Sequence, residues 1–144
     1  GDPMRKLRPL LLLVLTAVIA AQFVPVDRSN PPESAPLQAP AEVMTVLKTS
    51  CFDCHSNQTA WPWYSRVAPV SWWLAHHVEE GREHLNFSHW EDLTPQEKQH
   101  KRKEVAEEVR EGKMPLGSYV RGHKEAALDD AERDVLLRWA RGEL

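Results

Sequence analysis

The chain's polarity pattern falls into an apolar run, a proline-rich stretch and an amphipathic remainder. Leu10 to Val26 is apolar except at Thr16 and Gln22, and Arg5, Lys6 and Arg8 precede it. Basic residues ahead of an apolar run hold its start on the cytoplasmic side and send the downstream chain to the far side. Residues 4–26 therefore predict either an uncleaved membrane-anchor helix, the preferred reading, or a signal peptide cut after Ala20 or Ala21. The run is of borderline length for spanning a bilayer. Gly1, Asp2 and Pro3, ahead of Met4, read as an expression scar. Residues 27–40 carry Pro31, Pro32, Pro36 and Pro40 with almost no aliphatic residue, and such composition predicts a semi-extended tether. The remainder, 41–144, is the globular domain.

Within that domain the apolar spacing is helical. Val43, Val46 and Leu47 predict a first helix over 41–50, with Pro40 suited to its first turn. A second runs from about Trp72 to Glu80, with Ser71 as cap and Gly81 as stop. The stretch 85–92 reads as irregular. Thr94-Pro95-Gln96-Glu97 is a capping box opening a third helix that ends near Glu111, with Gly112 as its stop. Asp129 with Glu132 opens a fourth, where Ala131, Val135 and Trp139 repeat every four residues. No run alternates like a strand. The class is all-α, about four helices.

Composition adds two points. Six tryptophans in 144 residues need a core or a flat apolar ligand to pack against. The net charge of −3, with no interleaving of basic and aromatic residues, gives no sign of nucleic-acid binding. The Lys101-Arg102-Lys103 cluster, set among glutamates, reads as a solvated helix face.

The chemistry centres on Cys51-Phe52-Asp53-Cys54-His55, which holds both cysteines of the chain. Two cysteines two residues apart, followed at once by histidine, form the attachment sequence for c-type haem. A helical turn brings both sulfurs to one porphyrin edge for thioether formation and swings His55 under the iron as proximal ligand. The competing readings are a redox-active dithiol, which wants a βαβ framework, a zinc site completed by two histidines, and a plain disulfide. Met114, between a helix stop and Pro115, is the preferred sixth ligand, and its soft thioether sulfur would favour ferrous iron. The alternative for Met114 is a gap-filling apolar side chain. His123 is its chief rival for the iron. His76, His77, His84, His89 and His100 read as core or surface histidines. Trp63, Tyr64 and Arg66, in the tryptophan-rich segment 61–73, are candidates for the haem wall or for the propionates.

On these residues the chain resembles the small monohaem c-type cytochromes grouped as a bacterial haem-binding domain. The likeness runs through residues 51–65, 68–72, 77–82, 85–88 and 114–116, and through 22–31 near the N-terminus. It is also loosely similar to class I cytochromes c in the order of attachment turn, methionine loop and C-terminal helix, with segment 61–73 as the departure. The resemblance implies an exported haem domain with one covalent haem c, often tethered to the membrane. The expected function is electron transfer by Fe(II)/Fe(III) cycling on the periplasmic side of the inner membrane, with membrane-associated redox proteins as partners and no enzymatic activity. The alternatives are a haem-based gas sensor or a peroxidase-like enzyme with an open distal site.

Overall fold

The computed structural model describes residues 3–144, so the scar reading of Gly1 and Asp2 lies outside the described residues. The described residues are helical throughout their regular structure, with seven α-helices and no strand: α1 (Pro3–Ala21), α2 (Ala41–Ser50), α3 (Phe52–His55), α4 (Val70–His84), α5 (Pro95–Arg110), α6 (Gly117–Gly122) and α7 (Asp130–Ala140). Short 3-10 turns cover Trp63–Arg66, Phe87–Asp92 and Lys124–Ala126. The count exceeds four because single-turn helices form where the sequence lacks the length for a periodic signal.

The chain folds as two units, one of residues 1–29 and 61–77, the other of residues 30–60 and 78–144. In the first, the Gln22 amide brackets Ala68, accepting from its N–H at 3.0 Å and donating to its carbonyl at 3.3 Å. Arg28 donates to the Ser65 carbonyl at 3.2 Å. The uncleaved anchor expected over 4–26 is corrected here: among the described residues no helix is long and apolar enough to cross a membrane. The reason is local. The apolar run leaves the helix after Ala21, so Leu10–Ala21 rises only ~18 Å at ~1.5 Å per residue, against a hydrocarbon core of ~30 Å.

The second unit holds the core. Val43, Val46 and Leu47 of α2, Phe52 of α3, Val109 of α5 and Leu136 and Trp139 of α7 are buried together with Leu37, Phe87 and Trp90. Aromatic rings run through its middle: Phe52 stacks on Phe87 at 5.5 Å, Phe87 meets Trp90 at 5.9 Å, and Trp90 meets Trp139 at 5.6 Å. Offset and tilted rings at such separations are the favoured arrangements. Arg102 of α5 lies over the Trp139 ring at 5.1 Å, and Arg133 of α7 donates to the Val109 carbonyl at 2.7 Å. Both capping boxes form, Thr94 with Glu97 and Asp129 with Glu132. Gly112 takes φ 69° at the end of α5, the left-handed geometry a glycine supplies there. Along α5, Lys101 and His100 pair with Glu104 at 2.8 and 3.1 Å, an ion-pair-laced face.

The proline-rich stretch is not loose. Ala35 and Leu37 donate backbone N–H groups to Ser88 and Phe87, and Glu91 donates to Ala35. Asn57 donates to the Pro32 carbonyl at 3.2 Å, and Ser88 donates to Glu33 at 2.7 Å. Leu37 is buried in the core. The packed unit thus takes in residues from Asn30 onward, ahead of the Ala41 start suggested by hydropathy, because one aliphatic residue and a series of backbone bonds suffice to hold an extended strap.

Candidate haem-attachment site

Residues 51–55 form a single helical turn hooked into the core. The Cys54 and His55 N–H groups donate back to the Cys51 carbonyl at 3.2 and 2.9 Å. Phe52 points the other way, into the aromatic stack. This pair of directions explains the local sequence: a large apolar residue between the cysteines anchors the turn, and the residues on its other side remain for chemistry.

α4 closes on that turn through Gly81. A Cβ on Gly81 would stand 2.4 Å from the Cys54 carbonyl oxygen, so only glycine allows the approach. The reading of Gly81 as a helix stop is corrected, since α4 continues to His84. The approach brings two carbonyls, one within α4 and one just past its end, to His55, whose Nδ1–H donates to Gly81 at 2.9 Å and Leu85 at 3.0 Å. With Nδ1 carrying the proton, Nε2 keeps its lone pair for a metal, the arrangement typical of ligating histidines. Burial lowers the His55 pKa, the two carbonyl bonds opposing it, so the imidazole is neutral and ready to ligate. Arg82, one residue after Gly81, donates to the Ser56 carbonyl, to the Thr59 hydroxyl and to Asn30 at 2.9, 3.0 and 2.9 Å.

The thiols carry information too. Burial, with Cys54 adding to it, pushes the Cys51 thiol up to about 12. Burial and the Asp53 carboxylate, opposed by Arg82, push Cys54 up to about 11. A redox dithiol depends on a stabilised thiolate, and this setting does the opposite. A thioether has no proton to lose, so the same burial costs it nothing. The two cysteines are not joined to each other. Among the described residues no group of three or more His, Cys, Asp or Glu is arranged to hold a metal ion, so the zinc reading finds no site. The turn fits haem: paired, partly buried sulfurs, and an imidazole oriented by its second nitrogen.

Two residues that motif reading passes over complete the site. Asp53 accepts from the Ala60 N–H at 2.8 Å and from the Tyr119 hydroxyl at 2.5 Å. Neither has a role in the attachment motif; the available signal was a carboxylate inside the cysteine pair and one of only two tyrosines in the chain.

The remaining candidates divide between the two units. Met114 is partly buried, and its N–H donates to the Glu108 carbonyl at 3.2 Å. His123 stacks on Tyr119 at 4.4 Å with 12° between the rings and pairs with Glu125 at 3.3 Å. Trp63, Tyr64 and Arg66 share one 3-10 turn in the first unit. Trp63 is 77% exposed and meets Tyr64 edge-on at 5.8 Å, and Arg66 is exposed. Trp61, beside them, has a buried indole N–H without an acceptor. His77 donates Nδ1–H to the Trp73 carbonyl at 2.8 Å. His89 lies within 2.5 Å of the Ser34 hydroxyl and accepts from Asn57 at 3.3 Å.

An all-helical chain with such a turn defines a class, the helical haem-binding proteins. Its sequence matches the model of the haem-binding domain family over residues 16–142, and the chain belongs to that family. Neither a curated protein nor a solved structure matches it.

Proposed function

We propose that this haem protein is a monohaem c-type cytochrome that transfers electrons in the bacterial periplasm. The observation that carries the reading is His55: its Nδ1–H is held by the Gly81 and Leu85 carbonyls, which leaves Nε2 free to ligate iron, and it follows two partly buried cysteines that would suit thioethers. Haem c, when bound, supplies a one-electron Fe(II)/Fe(III) couple. The chain's own part is to orient the ligand, hold the sulfurs in place and close the site.

Met114 is the sixth ligand in this reading. It follows the end of α5 on a short loop, and Tyr119, five residues on, bonds to the attachment turn itself. His123, the rival, has its ring stacked on Tyr119 and its Nδ1 beside Glu125. Two strong axial ligands leave no position for substrate, which favours a carrier over an enzyme. The periplasmic location rests on the basic and apolar segment 4–26 and on the haem chemistry; the partners are redox proteins of the membrane.

Met114→Ala in the haem-loaded protein tests the ligation. The expected result is loss of the near-infrared sulfur-to-iron band and rapid carbon monoxide binding by the ferrous form. An unchanged spectrum would remove Met114 from the iron. Rapid carbon monoxide binding by the unaltered protein would instead favour a gas sensor or a peroxidase-like enzyme.

A further inference from the structure

Both ends of the methionine loop are tied down, and the two ties differ in kind. Upstream, the N–H groups of Lys113 and Met114 donate to the Glu108 carbonyl at 3.0 and 3.2 Å, so the loop leaves α5 in a fixed direction. Downstream, the loop enters α6, and Tyr119 on that helix donates its hydroxyl to Asp53 at 2.5 Å. The first tie is local. The second spans 66 residues of sequence and ends inside the attachment turn, between Phe52 and Cys54.

Asp53 is well placed for this. Its other carboxylate oxygen accepts from the Ala60 N–H at 2.8 Å, and its backbone carbonyl accepts from the Thr59 hydroxyl at 2.7 Å, so it is held on the turn side. Tyr119 is held on the loop side, its ring flat against His123 at 4.4 Å, whose imidazole in turn pairs with Glu125. A short O–H to carboxylate bond is of the charge-assisted kind, stronger than a neutral one. Tyr119 lies five positions after Met114, a Cα span of at most ~18 Å. Fixing Tyr119 to the turn therefore limits how far Met114 can move from it.

We propose that Asp53 and Tyr119 form a latch that holds the methionine loop against the attachment turn and so keeps Met114 on the iron. The inference rests on the His55/Met114 ligation read above. Both are positioning residues: neither touches the iron, and they act through Met114. His123 belongs to the latch as the platform for the Tyr119 ring.

Tyr119→Phe in the haem-loaded protein removes only the hydroxyl and keeps the ring on His123. The ferrous variant is expected to bind carbon monoxide roughly ten- to a hundredfold faster, the scale set by losing one hydrogen bond to a charged group, with a weakened sulfur-to-iron band and covalent haem retained. Asp53→Asn keeps the side chain's size but leaves only a neutral hydrogen bond to Tyr119, and should give a smaller shift in the same direction. Met114→Ala marks the fully open limit. Two results overturn the latch. If Met114→Ala opens the site while both latch variants bind carbon monoxide at the original rate, the latch fails and the ligation stands, even where thermal stability falls. If Met114→Ala itself changes nothing, the ligation fails and takes the latch with it.

Discussion

At the residue scale the site turns on one missing side chain. Gly81 lets α4 come close enough for the Gly81 and Leu85 carbonyls to hold His55, and a methyl there would meet the Cys54 carbonyl oxygen at 2.4 Å. Backbone cannot yield as a flexible side chain would. Gly81→Ala is expected to cost about 1–3 kcal/mol, the usual range for overpacking a tight site, and to disturb the His55 bonds. A urea midpoint measured on the haem-loaded variant checks it, and unchanged stability would show that α4 moves away freely. As a candidate ligand, His55 was readable from five residues of sequence, because thioether attachment would fix that spacing. Gly81 was not: a glycine after an apolar helical run has the same appearance whether it stops the helix or admits a neighbour, and only packing separates the two.

At the element scale, capping chemistry was the most readable feature, since it acts within four residues. Thr94 and Glu97 satisfy each other's backbone at the start of α5, and the Thr94 N–H and hydroxyl donate to the Glu97 carboxylate at 2.8 and 2.7 Å. These bonds, the backbone one first, hold the Glu97 carboxyl below its ordinary value. A folded pKa below the unfolded one means that stability is present above the unfolded value, near 4.5, and is lost as pH falls through the folded one. Glu97→Gln should therefore be less stable than the original at pH 6, and the gap should narrow as pH falls below about 4.5. A constant gap between their urea midpoints across that range would count against the box. The extended strap 30–40 escaped the sequence pattern for the opposite reason: its bonds go to Phe87, Ser88 and Asn57, far along the chain, where composition alone carries no trace of them.

At the scale of the whole molecule the six tryptophans divide. Trp90 and Trp139 are core, each 1% exposed, whereas Trp63, Trp72 and Trp73 remain 40% exposed or more. Sequence counts the indoles but cannot sort them, because core and surface tryptophans share the same kinds of neighbour along the chain. The aromatic core, the carbonyls that hold His55 and the latch all converge on one helical turn. In the proposed cytochrome this turn carries a single covalent haem with two axial ligands. The direct measurement is an absorption spectrum, oxidised and reduced, of protein exported in a host that attaches c-type haem. The expected result is haem that survives acidified organic extraction, low-spin bands in both states and the weak near-infrared sulfur-to-iron band. Extractable haem would contradict the thioethers, and high-spin bands that shift with carbon monoxide would contradict the closed site.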